Sequence, residues 1–193
     1  MSKKKQIVII DNHDSFTYNL YQIFDEHPLC DITVIQSDKV DVMQLEKYDQ
    51  IVLSPGPDVP SSYPILFNIL DTYKSCKPIL GVCLGHQTIG EYFGGKLINL
   101  STVFHGQQKT INILDKEDVL FKDISPTTIV GLYHSWAIAK DSLPIDIEIT
   151  AVSTDDIVMA ISHKMYNIKG IQFHPESYMT KEGEKMINNW IEQ

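Results

Sequence analysis

The stretch Pro78-Ile-Leu-Gly-Val-Cys-Leu-Gly-His-Gln87 is an apolar run that stops at a cysteine and passes at once into a helix-like segment. Gly81 and Gly85 stand two positions before and two after Cys83, the G-x-nucleophile-x-G spacing of a residue held on a sharp strand-to-helix turn. On such a turn, side chains at the two flanking positions would collide with neighbouring backbone, and glycine removes the collision. The helix that follows offers its positive end and free N–H groups, which favour a thiolate and can meet a developing oxyanion. Without the glycines, a lone cysteine at a strand end reads as a small buried hydrophobe. Cys30 and Cys76 have no such surroundings and are read that way.

Ahead of this turn, short Val/Ile/Leu runs alternate with helix-like segments: strands at 6–10, 32–36, 50–53 and 78–82, helices at 15–26 and 63–73. That alternation predicts a doubly wound α/β fold, a mostly parallel sheet with helices on both faces. Asn12 or Asp14 is expected to cap the first helix, and Ser54-Pro-Gly-Pro57 marks the end of a strand. From Lys96 onward the strand candidates shorten, at 108–113, 129–133, 148–152, 157–162 and 170–173, before a final helix at 181–191. Helices are scarce there, which predicts an antiparallel or mixed extension of the same sheet, with a turn at Asp155-Asp156. No repeat, low-complexity stretch or long linker interrupts residues 1–193, so a single domain is expected.

Sixteen Lys and Arg against 25 Asp and Glu give a net charge of -9, which opposes broad attraction to nucleic-acid phosphates or anionic lipid. The one basic cluster, Lys3-Lys4-Lys5, is read as a solvated terminus. No apolar stretch approaches the roughly 20 residues that span a bilayer, and the run after the lysines breaks at Asp11, too early for a signal peptide. Three cysteines without a CxxC pair argue against a disulfide framework. A cytoplasmic protein is expected, with no nucleic-acid or membrane partner.

A thiol nucleophile needs a proton acceptor near it in space, wherever that group lies in sequence. Gly170-Ile-Gln-Phe-His-Pro-Glu176 offers one at the end of a late strand. Pro175 keeps His174 extended, and residues two apart in an extended chain point the same way, so Glu176 reaches the imidazole. Its carboxylate would fix the ring tautomer and stabilise the imidazolium. His-Pro-Glu carries little weight alone, since strand-end histidines are commonly satisfied surface or core groups; the elbow gives it weight. His86 is expected to support the turn and His105 and His134 to wall the site, while His13, His27 and His163 have no assigned role. Seven histidines show no HExxH or paired-cysteine spacing, so neither metal nor cofactor is expected.

These residues resemble the class I, triad-type glutamine amidotransferases, and the likeness runs over nearly the whole chain. It implies a glutaminase that releases ammonia from L-glutamine, with Cys83 as nucleophile, His174 as base and Glu176 as its orienter. Ser54-Pro-Gly-Pro57 resembles the family's oxyanion loop, which implies that the backbone N–H of Gly56 joins that of Leu84 at the oxyanion. Gln87 matches a position that contacts glutamine. His105-Gly106 and Tyr133-His-Ser-Trp136 resemble two further loops, the second holding the substrate's amino-acid end partly through backbone at Ser135 and Trp136. Asp11-Asn-His-Asp-Ser-Phe-Thr-Tyr-Asn-Leu20 resembles the opening of the glutaminase subunits of anthranilate synthase and aminodeoxychorismate synthase. That implies a partner, a chorismate-binding synthase subunit of tryptophan or folate synthesis. A chain of this length leaves no room for a second catalytic domain, which points the same way. The sequence departs from that subfamily at His13, commonly tyrosine, Leu132, commonly arginine, and Trp136, commonly leucine. It also reads Asp58-Val-Pro60 where a glycine often follows Pro57. None of these departures touches the triad.

Two rivals stand beside this reading. The same triad could serve carbamoyl phosphate, guanylate or pyridoxal phosphate synthesis, or hydrolyse glutamyl peptides; the amino-terminal string speaks against these. A non-catalytic module on the same fold would leave Cys83 inert.

Overall fold

A computed structural model describes residues 3–193. The chain runs β1 (Lys5–Asp11), α1 (Thr17–Glu26), β2 (Cys30–Gln36), β3 (Gln50–Leu53), α2 (Pro64–Tyr73), β4 (Ile79–Val82), α3 (Leu84–Tyr92), β5 (Leu97–Asn99), β6 (Gln107–Ile113), β7 (Thr127–Leu132), β8 (Trp136–Ile138), β9 (Ile147–Ser153), β10 (Val158–His163), β11 (Ile168–Ile171) and α4 (Gly183–Glu192). Nine strands form one sheet in the order β2-β1-β3-β4-β11-β10-β9-β6-β7. The first five are parallel neighbours, and from β11 to β7 every pairing is antiparallel. The doubly wound half and its antiparallel extension therefore share one sheet, as the sequence pattern predicts.

Alternation along β1 explains its unbroken apolar run. Ile7 and Ile9 pack with Leu20 and Phe24 of α1 and with Met186 and Trp190 of α4. Val8 and Ile10 pack on the other face with Leu66, Ile69 and Leu70 of α2 and Ile89 of α3. A strand covered on both faces has no solvent position to mark with a polar residue. Each fully buried isoleucine contributes about 1.5–3 kcal/mol to the folded state. Phe24 and Trp190 join α1 to α4 edge-to-face, ring centroids 6.1 Å apart.

Two expectations change, and one small sheet is new. Asn12 does not cap α1, which starts five residues further on at Thr17 and has no side-chain cap; its side-chain N–H is given to the Ser54 carbonyl at 2.9 Å, and Asp14 accepts the Phe16 N–H at 2.8 Å in the turn before the helix. Lys5 is not simply solvated: its ammonium donates to the carbonyls of Ile191 and Gln193 at the end of α4. Residues 97–99 and 136–138 form a separate two-stranded sheet, too short for any alternation to show. The Asp155-Asp156 turn between β9 and β10 is present, with Asp156 in the left-handed region at φ 61°. The carboxyl ends of β1, β3, β4 and β11 bring Asn12, Ser54, Cys83 and the 172–176 segment to one rim of the sheet, where open α/β sheets hold their sites.

Candidate active site

Cys83 occupies the single residue between β4 and α3, at φ 52° and ψ -99°. The two glycines are there because the turn leaves no room for a Cβ. A methyl on Gly81 would sit 2.4 Å from the Gly85 carbonyl carbon, and one on Gly85 would sit 2.3 Å from the Leu53 oxygen. The sulfur is buried, at the positive end of α3, and accepts a hydrogen bond from Gln172 Nε2 at 3.6 Å.

His174 and Glu176 come from the segment after β11, with Nδ1 donating to Glu176 Oε1 at 2.7 Å and both side chains almost fully buried. Because Nδ1 holds the proton, Nε2 is the basic nitrogen, and it has no protein hydrogen-bond partner. Burial by itself would push the His174 imidazolium down, but the Glu176 carboxylate and then the charge of the nearby Cys83 sulfur hold it well above the usual histidine value. Cys83, His174 and Glu176, separated by up to 93 positions in sequence, are thus brought together.

Beside the sulfur lies a cavity of about 150 Å³, lined by Gly56, Pro57, Asp58, Cys83, Gln87, Tyr133, His134, Ser135 and Trp136. Its volume is well under the roughly 300–1,000 Å³ typical of drug-sized sites and suits a molecule of amino-acid size. A larger hollow of about 520 Å³, between His13, Asp38 and Tyr63, shares only Asp58 with it and is not lined by Cys83; the chemistry belongs to the smaller one. Gly56 packs against both Leu84 and Asn12, since a methyl there would lie 2.5 Å from Leu84 Cδ2. Among the described residues no protein group takes the Gly56 N–H, and that of Leu84 is free by its place at the start of α3. Gln87 gives its amide N–H groups to Trp136 O at 2.8 Å and Gln172 Oε1 at 3.1 Å. The carbonyls of Ser135 and Trp136 are already bonded, by Leu100 N–H and by Gln87 and His134 respectively, so backbone contact to a ligand there falls to N–H groups.

A profile of the glutamine amidotransferase class-I family matches residues 8–193. The chain belongs to the class-I glutamine amidotransferases. It is 44% identical over 186 residues to a Haemophilus influenzae protein assigned as an anthranilate synthase component II, covering 96% of this chain and 95% of that one. It is 38% identical over 187 residues to aminodeoxychorismate synthase component 2 of Escherichia coli K12, covering 96% and 98%. The crystal structure of a Thermoplasma acidophilum protein described as one of the subunits of GMP synthase superposes with a TM-score of 0.89 at 25% identity, over 100% of this chain and 94% of that one. Membership of this family accords with the fold, and among the described residues no helix is long and apolar enough to cross a membrane.

One site residue, Gln172, was not singled out by the sequence reading, and another, His134, gains a defined role. Gln172 lies two positions before His174 on an extended segment, so the same alternation that paired His174 with Glu176 could have placed it; it donates to the sulfur from a fully buried position. His134, read as a wall residue, is chemically defined. Its Nδ1 donates to Trp136 O at 2.8 Å, burial pushes its pKa down to about 4, and its Nε2 is therefore a neutral acceptor without a protein donor. His86 is fully buried behind the elbow against Gly170, with burial pushing it down to about 3. It stays neutral, as a support does. Of the departures, His13 and Asp58 both take left-handed backbone, φ 60° and 64°, which accounts for glycine being favoured after Pro57; His13 also pairs with Asp38 at 3.2 Å. Leu132 is fully buried. His105 is exposed and contacts the cavity only through Tyr133, 5.7 Å between ring centroids.

Proposed function

We propose that the chain is a glutaminase subunit that hydrolyses L-glutamine through Cys83, His174 and Glu176 and delivers ammonia to a chorismate-binding synthase partner, serving as component II of anthranilate synthase or aminodeoxychorismate synthase. The observation that carries this reading is the buried His174–Glu176 pair whose unpartnered Nε2 lies beside a sulfur at the head of a helix, on the wall of an amino-acid-sized cavity. The Cys83 thiolate attacks the side-chain amide carbon of glutamine, and the tetrahedral oxyanion is held by the N–H groups of Gly56 and Leu84. The imidazolium of His174 gives its proton to the departing nitrogen, the C–N bond breaks, and ammonia leaves a glutamyl thioester. Water, deprotonated by His174, cleaves the thioester to glutamate and restores the thiolate. Glu176 keeps the proton on Nδ1 and balances the charge on the ring. Gln87, with Ser135 and Trp136, holds the amino-acid end, and the neutral Nε2 of His134 offers an acceptor to an N–H of glutamine that glutamate's side chain lacks.

Similarity to the two synthase components, together with the Asp11–Leu20 string, favours chorismate-derived acceptors over guanylate, toward which the 25% likeness points. Three free thiols fit a reducing cytoplasm. Cys83→Ala should abolish glutamine-dependent product formation while the partner's synthesis from added ammonia survives. Loss of both, or of neither, would contradict the division of labour.

A further inference from the structure

The loop from Asp11 to Thr17 carries part of the amino-terminal string, and it touches both halves of the site. Asn12 is fully buried beside the oxyanion loop. Its side-chain N–H reaches the Ser54 carbonyl and its backbone N–H reaches Ser54 Oγ, both at 2.9 Å. Its own carbonyl takes the Tyr63 hydroxyl at 3.2 Å, and a methyl on Gly56 would lie 2.7 Å from its Cβ. Four residues on, the half-buried Phe16 ring lies 5.2 Å from the His174 ring, edge-on. Tyr133 completes the bracket, 5.0 Å from His174 and 4.8 Å from Phe16, with its hydroxyl 3.2 Å from Ser177 Oγ.

The loop between these two contacts is bonded to itself. Asp11 Oδ1 accepts from Thr17 Oγ1 at 2.8 Å and from Asp14 N–H at 3.4 Å, while Asp14 Oδ1 takes Phe16 N–H. A self-bonded loop fixes the separation of its two contacts, and catalytic groups held to fractions of an ångström keep their rate. Building on the glutaminase reading, we propose that Asn12 and Phe16 are positioning residues, one setting the oxyanion loop at Gly56 and the other holding the ring of His174. Neither reaches the reacting atoms; they act through Gly56 and His174. The string therefore serves hydrolysis and is not solely an address for a partner.

The test uses the full chain with its copurified synthase partner, in wild-type form and as Phe16→Leu, Phe16→Tyr and Asn12→Ser, measuring glutaminase kcat and KM, thermal unfolding and retention of the partner. Phe16→Leu should lower kcat roughly 3- to 10-fold, the scale of a lost aromatic pair, with KM within about twofold and the partner retained; Phe16→Tyr should restore it. Asn12→Ser should lower kcat roughly tenfold or more with KM again held. Unchanged kcat in Phe16→Leu, no recovery in Phe16→Tyr, or a lost partner with normal hydrolysis would each overturn the clamp while leaving the glutaminase reading intact. A wild-type complex that does not hydrolyse glutamine would overturn that reading and the clamp with it.

Discussion

Among the described residues, two Cys–His–Glu groupings stand out, and one of them has the setting of a nucleophile. Cys83, His174 and Glu176 meet at the carboxyl ends of the parallel strands. Cys30, His27 and Glu192 meet at the opposite end of the sheet, with Cys30 Sγ 3.9 Å from His27 Nδ1 and His27 Nε2 3.4 Å from Glu192 Oε1. Residue types and order of contact are the same, yet the chemistry differs at every step. Cys30 begins a strand instead of capping a helix. Burial pushes its thiol up to about 11, with Lys5 and Lys4 only partly offsetting it, so the unreactive thiol form dominates there at neutral pH. The His27 nitrogen facing the sulfur already accepts the Leu29 N–H, whereas the corresponding nitrogen of His174 is free. Glu192 is mostly in water and Glu176 is in none. Reactivity follows from the elbow, the free base nitrogen, the buried orienter and the adjoining cavity, not from three side chains in a row.

The largest expected difference lies in the carboxylates. Glu176→Gln should lower kcat for glutamine hydrolysis by about 10²- to 10⁴-fold, the range for losing the orienting acid of a triad, while Glu192→Gln and Cys30→Ala stay within about twofold of wild type. Equal losses at both places would erase the distinction. Next comes the turn itself: Gly85→Ala, whose methyl meets the Leu53 oxygen, should cost about 1–3 kcal/mol in chemical denaturation, against less than about 0.5 kcal/mol for the exposed Glu192→Gln. A fully stable Gly85→Ala protein would mean the elbow is not tight. Smallest is an alkaline effect at Cys30. Its folded pKa lies above the unfolded value, so its contribution is whole below the unfolded pKa and is lost as pH rises toward about 11. Wild-type Tm should fall more than that of Cys30→Ala between pH 9 and 11. Parallel pH curves would remove the assigned burial of that thiol.

Much of this was legible in the sequence because it rests on local geometry. The parallel strands are covered on both faces and so read as apolar runs, the elbow glycines report a steric demand at a fixed spacing, and His174 and Glu176 lie on one side of an extended segment. What sequence did not reveal depends on how a side chain is turned or on chain segments far apart. Asn12 reads as a cap by type, but α1 starts five residues beyond it and its side-chain amide is turned to the Ser54 carbonyl 42 positions away. The acceptor role of His134 Nε2 appears only once Nδ1 is seen to face the Trp136 carbonyl. The strands at 97–99 and 136–138 exist because they meet each other, and three residues carry no period.

The most direct test is labelling with a glutamine-mimicking diazoketone, followed by peptide mapping by mass spectrometry. One label per chain on Cys83, suppressed by added glutamine and absent from Cys30 and Cys76, is the predicted result. An unlabelled Cys83, or label spread equally over the three thiols, would contradict the assignment of Cys83 as the nucleophile.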